Sequence, residues 1–153
     1  MIQASQAFER VTALVDGAAT DALGARIAGG LAVGDAVALQ GDLGAGKTTL
    51  ARAILRALGV REEVPSPTFT LVQHYDTPRL AVRHFDLYRV TNENEIGELG
   101  LEEALDQGAA LIEWPERAAG LLPPDTLRVA LSITGPTSRR ALLAGPAKWA
   151  AHV

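Results

Sequence analysis

The sequence predicts an α/β fold in three layers, a central mixed β-sheet flanked by helices, formed by one domain over residues 1–153. Three observations carry that prediction. A buried-strand pattern at 35–40 runs through a glycine-rich turn directly into an amphipathic helix at 47–58. Stretches rich in β-branched and aromatic residues occupy the middle of the chain. At 153 residues, 48% apolar and 21% charged, the chain has the size and composition of a single ordinary globular domain.

Each element has a local reason. Residues 20–31 (TDALGARIAGGL) place Leu23, Ile27 and Leu31 four apart, an amphipathic helix with Thr20 as N-cap and Gly29 and Gly30 as its stop. The run 35–40 (DAVALQ) is apolar and bounded by Gly34 and Gly41, the form of a buried strand. Residues 47–58 (KTTLARAILRAL) gather Leu50, Ala51, Ile54, Leu55 and Leu58 on one face and close at Gly59. Beyond them, PSPTFTLVQHY and RLAVRHFDLYRV read as two hairpin-related strands with turn residues 76–78 between them. Asn92, with Glu95 three residues on, predicts a capped short acidic helix, and a second helix follows at 101–105. The run 109–112 (AALI) is a buried strand ending at Glu113, Trp114 and Pro115. Alternation over 126–134 predicts a strand, Gly135-Pro136 a turn, and 140–143 the last strand. Residues 145–153 carry little pattern and are expected to form a disordered tail.

Composition excludes several classes of function. Without cysteine there is no zinc ribbon, thiol redox site or disulfide scaffold. Eighteen acids against 14 Lys and Arg, a net charge of −4, argue against a domain that coats nucleic acid by electrostatics alone. The start MIQASQAFER lacks the basic and apolar pattern of a signal peptide, and no stretch approaches the roughly 20 apolar residues of a membrane span. A cytoplasmic protein is expected.

GDLGAGKT at 41–48 matches G-x-x-x-x-G-K-[ST], the phosphate-binding loop, and stands where the mechanism needs it, between a buried strand and a helix. The match makes the predicted fold P-loop NTPase-like. Glycines let the backbone N–H groups of Leu43, Gly44, Ala45 and Gly46, with Lys47, Thr48 and Thr49 after them, converge on phosphate oxygens beside the positive end of a helix. Lys47 would neutralise the β and γ phosphates, and the Thr48 hydroxyl would be a ligand of Mg²⁺. Four fixed positions of this kind arise by chance in under about 1% of chains this long.

Such a site also needs a carboxylate at the end of a neighbouring strand. Two positions qualify as metal and catalytic residues beside Lys47: Glu113, after AALI, as in a Walker B strand with glutamate in place of aspartate, and Asp86, after VRHF at 82–85. Either could hold Mg²⁺ directly or through water, and Asp86 could instead position the attacking water. Ser66 and Thr68, in SPTFT at 66–70, stand where a switch segment senses the γ phosphate or where a strand simply begins. His74 and His84 lie on predicted strands and read as structural or solvent-facing. Trp114 reads equally as a core aromatic or as a contact with nucleotide or partner. Glu93, Glu95, Glu98, Glu102, Glu103 and Asp106 read as a solvated acidic face.

Taken together, GDLGAGKTTL at 41–50, SPTFTLVQHY at 66–75, HFDLYR at 84–89 and EWPER at 113–117, with LG at 23–24, resemble the bacterial TsaE family, also called YjeE. The matching pieces cover residues 20–130. The resemblance implies a small ATPase that binds ATP or ADP with Mg²⁺ and supports a TsaB–TsaD complex in tRNA threonylcarbamoyladenosine biosynthesis, with tRNA met only through that complex and a monomer favoured. It also implies that Asp86, Glu113 and Trp114 are needed for activity and that the segment from Gly17 to Thr20 approaches the nucleotide base. From Thr137 onward the match is poor, which leaves open whether Arg139 or Arg140 contacts nucleotide. Two other functions fit the residues alone: a P-loop small-molecule kinase, and a nucleotide-dependent binding switch with negligible catalysis.

Overall fold

The computed structural model describes residues 8–67 and 70–153. Its strands are β1 (Phe8–Leu14), β2 (Ala36–Gln40), β3 (Val72–Asp76), β4 (Ala81–Asp86), β5 (Gly108–Glu113), β6 (Leu127–Ile133) and β7 (Arg139–Gly145). Its helices are α1 (Gly17–Gly30), α2 (Lys47–Ala57), α3 (Glu93–Glu98) and α4 (Leu101–Gln107), with 3₁₀ turns at Pro115–Ala118 and Ala147–Ala151. The seven strands form one sheet in the order β1-β7-β6-β2-β5-β4-β3. The middle of the sheet, β6-β2-β5-β4, is parallel, and the hairpins at its two sides are antiparallel, so the sheet is mixed as the sequence predicts.

Helices cover both faces. Leu23 and Ile27 of α1 and Leu50, Ile54 and Leu55 of α2 pack with Val37, Leu39, Leu111 and Val129 on one face. On the other, Ile96, Leu101 and Ala104 of α3 and α4 pack with Ala36, Phe85, Ala110 and Ile112. β2 and β5 are apolar in both alternations because both of their faces are covered. Among the described residues no helix is long and apolar enough to cross a membrane.

The structure departs from the sequence reading at three places. β1 has no signature of its own, since its side chains are mostly exposed, and it forms only by pairing with β7. α1 begins three residues before the expected cap: the Asp16 carboxylate accepts from Ala19 N at 2.9 Å, and Thr20 is buried inside the helix. α1 closes at Gly30, where the two glycines are expected to stop it, and the Arg79 guanidinium donates to the carbonyls of Ala28 and Leu31 at that end. The expected tail at 145–153 is ordered. Gly145 completes β7, Trp149 is 0% exposed in the core against α1, and the Lys148 ammonium meets the Asp35 carboxylate at 2.6 Å. A buried indole and that ion pair fasten a segment whose local pattern is weak.

α1 and α2 pack closely because position 24 has no side chain. A Cβ there would stand 2.5 Å from Ala53 Cβ and 2.9 Å from the Ala53 carbonyl carbon, whereas one at Gly29, in the same helix, would meet nothing within 4 Å. Gly24→Ala should therefore destabilise the protein by about 1–3 kcal/mol despite its better helix propensity. Gly29→Ala should stabilise it by about 0.5–1 kcal/mol. Thermal unfolding of the two variants checks the pair, and shifts of the same sign would contradict this packing.

Candidate functional site

Between β2 and α2 the chain turns on Gly41, Gly44 and Gly46, at φ +154°, +83° and +106°. Gly46 is the N-cap of α2 in a left-handed conformation with no side chain to cap the helix. The first-turn N–H groups are thus left for a ligand, at the helix end that carries positive partial charge. A Cβ at Gly41 would lie 2.7 Å from the Leu131 carbonyl oxygen, so the turn can lie this close to β6 only as glycine. Lys47, the first residue of α2, turns its ammonium back to donate to the carbonyls of Gly41 and Asp42 and stands 4.3 Å from the centre of the Trp114 ring. Burial draws this lysine below its ordinary range, and the charges of Glu113 and Asp86 act against that shift.

At the end of β5, the parallel register sets Glu113 beside Asp86 at the end of β4. Glu113 is 3% exposed and Asp86 5%. The Thr48 hydroxyl, in the first turn of α2, lies 2.9 Å from both Glu113 carboxylate oxygens. His84 Nε2 lies 2.7 Å from Glu113 Oε2. Asp86 Oδ1 accepts from Tyr88 N at 3.0 Å, and Leu87 N donates to the Glu113 carbonyl at 3.1 Å, which locks the two strand ends together. Trp114 follows in the left-handed region at φ +59°, a conformation costing about 1–2 kcal/mol outside glycine. Its ring lies 4.8 Å from that of Tyr88, centre to centre.

Over these groups opens a cleft of about 420 Å³. Gly17, Thr20, Leu43, Gly44, Ala45, Gly46, Lys47, Thr48, Thr49, Ser66, Asp86, Glu113 and Trp114 all line it. Thr68 lies outside the described residues. Of the two arginines left open, Arg139 lines the cleft and donates from Nη2 to the Gly44 carbonyl at 3.1 Å, while Arg140 is exposed and does not line it. His74 is exposed, but His84 is fully buried against Glu113. Sequence reasoning passes over Leu14, Asp16, Leu131 and Thr137, which also line the cleft, because β1 and the approach of β6 and β7 to the glycine turn are tertiary features. For His84 a signal does exist: it stands two residues before Asp86 on one strand, so the two share a face of the sheet.

The donor set suits a hard divalent cation, since Thr48, Glu113 and Asp86 present oxygen alone. Among the described residues no three His, Asp or Glu side chains converge to hold an ion unaided. A cation here needs further oxygens from water and from a ligand, which is how Mg²⁺ accompanies nucleotide phosphates.

Comparison with known proteins places the chain in a family. The family model for TsaE, the threonylcarbamoyl adenosine biosynthesis protein, matches residues 14–141. The chain is 46% identical over 100 residues to the tRNA threonylcarbamoyladenosine biosynthesis protein TsaE of Rickettsia prowazekii, covering 65% of this chain and 69% of that one. To the TsaE of Treponema pallidum it is 38% identical over 112 residues, 72% of this chain and 82% of that one. The crystal structure of YdiB from Bacillus subtilis superposes with a TM-score of 0.76 at 29% identity, over 90% of this chain and 86% of the other. A match over residues 14–141 takes in both carboxylates, the glycine turn and most of the sheet, and the chain belongs to the TsaE family of tRNA threonylcarbamoyladenosine biosynthesis proteins.

Proposed function

We propose that the protein is a Mg²⁺-dependent ATP hydrolase that supports a TsaB–TsaD complex in attaching the threonylcarbamoyl group to the adenosine next to the tRNA anticodon. The observation that carries this reading is the meeting of the Thr48 hydroxyl with both oxygens of the buried Glu113 carboxylate, 2.9 Å away, beside a glycine turn at a helix N-terminus. On this reading the N–H groups of residues 43–48 receive the phosphates, and Lys47 leaves the Gly41 and Asp42 carbonyls to neutralise the β and γ oxygens. Mg²⁺, when bound, supplies charge neutralisation at those oxygens. Thr48 would be a ligand of the ion, Glu113 would help to hold it, directly or through water, and Asp86 would either help to hold it or position the attacking water. Gly17 and Thr20 face the base.

Charge that develops in phosphoryl transfer needs more preorganised donors than these. Among the described residues Arg139 is the only arginine lining the cleft, and its guanidinium is engaged by the Gly44 and Gly135 carbonyls. This favours slow hydrolysis by the protein alone and stimulation by the partner complex, docked over the rim at Trp114, Tyr88 and Ser66. A small-molecule kinase closes several arginines over a second substrate, so a cleft with one arginine favours water as acceptor. The protein works in the cytoplasm and meets tRNA through its partner, in keeping with a net charge of −4.

Lys47→Ala should weaken ADP binding by about 10- to 100-fold, since it removes a charge-assisted contact, and should abolish turnover. Calorimetry and phosphate release on the folded variant test this, and unchanged affinity and turnover would remove the phosphate site. Glu113→Gln should raise the Mg²⁺ requirement or lower the rate by about tenfold or more while metal-free nucleotide still binds; normal hydrolysis at limiting Mg²⁺ would contradict the metal role. Trp114→Ala should lower the TsaB–TsaD-stimulated rate about tenfold and leave ADP affinity within about twofold, as for an aromatic that docks a partner. A fast basal rate that titrated partners leave unchanged would reject the coupled hydrolase.

A further inference from the structure

We infer that His84 is a positioning residue that aims the Glu113 carboxylate at the metal position; the inference rests on the Mg-ATP reading above. His84 is 0% exposed and sits on β4 with its side chain on the same face of the sheet as Asp86. The register pairs His84 with Leu111 and Asp86 with Glu113, so the imidazole lies one step below the carboxylate row. From there Nε2 reaches Glu113 Oε2 at 2.7 Å, the short distance of a charge-assisted bond. A carboxylate oxygen can accept this bond when Nε2 carries the hydrogen, the tautomer that the positioning role requires.

The surroundings argue that this bond is the reason for the ring. The same sheet face holds Val82, Ala109 and Leu111, all in the apolar core. Nδ1 is buried and has no partner among the described residues. Leaving a ring nitrogen unpaired in such a place costs stability, and leucine would fill the space without that cost. The imidazole does what leucine cannot: it holds one carboxylate oxygen from below. Thr48 approaches the same carboxylate from α2. Rotation about the last bond of Glu113 is thereby restricted, and the carboxylate faces Thr48 and the cleft. Groups that orient a metal-binding carboxylate in this way typically carry about 10- to 100-fold in metal affinity.

The test compares His84→Leu, which keeps the packing and loses the donor, with His84→Gln, whose amide N–H can stand near the Nε2 position. ADP binding is measured by calorimetry without metal and across a Mg²⁺ titration, and steady-state hydrolysis is separated into kcat and KM. His84→Leu should bind metal-free ADP within about twofold of the parent, raise the half-saturating Mg²⁺ concentration by about tenfold or more, and lower kcat rather than raise KM. His84→Gln should recover most of both losses. A folded His84→Leu with the parent's Mg²⁺ dependence overturns the inference, and so does equal impairment of the two variants, which would make the residue's role packing alone. As an independent measurement on the parent, ¹⁵N imidazole NMR should place the proton of His84 on Nε2, with assignment simplified by the chain's having three histidines; a proton found on Nδ1 alone overturns the inference even if neither variant folds. If the parent itself binds ADP with no response to Mg²⁺, the failure lies with the Mg-ATP reading.

Discussion

Glu113 places a carboxylate where water reaches 3% of the residue, at the end of a wholly buried strand. Removing such a group from water costs several kcal/mol unless polar partners replace its hydration. Here they come from two separate parts of the chain. Thr48 arrives on the first turn of α2, His84 from the neighbouring strand β4, and the Lys47 ammonium adds the opposite charge nearby. Each requirement constrains the fold: α2 must start immediately after the glycine turn, β4 must run parallel to β5 in one register, and the turn itself must lie against β6.

That arrangement follows from how parallel sheets are made. β2, β5 and β4 all run in one direction, so their C-terminal ends lie along one edge of the sheet, where the connections to the next elements diverge and leave a crevice. The glycine turn follows β2, Glu113 ends β5 and Asp86 ends β4. The antiparallel strands complete the cleft from the opposite side: Leu14 closes β1, Asp16 caps α1, and Arg139 opens β7 with its guanidinium on the glycine turn.

Trp114 and Lys47 give the rim of the cleft a strained, charged character. The tryptophan holds a left-handed backbone in the residue after β5, and its ring is placed between Tyr88 and the Lys47 ammonium. Such strain persists only where surrounding contacts over-determine it. The side chain that a phosphate would attract is thus already in contact with the aromatic at the rim.

What was legible in the sequence was chemistry that is local in the chain. The glycine turn, its lysine and threonine, the face of α2, the Asn92 cap and the apolar run before Glu113 all depend on residues within one turn or one strand of each other. Asp86 at the end of its alternating run was legible in the same way, and the family resemblance added that Asp86, Glu113 and Trp114 are needed for activity. The tertiary structure alone decided which carboxylate meets Thr48, because that depends on how β2 and β4 pair with β5, strands far apart in the chain. It also decided the elements that lack local pattern: β1 is held by pairing with β7, and residues 145–153 are fixed by Trp149 and Lys148. His84 shows the limit most directly. On a strand read by itself it is one polar residue in an alternation, and its role exists only because folding brings a buried carboxylate within 2.7 Å of its ring.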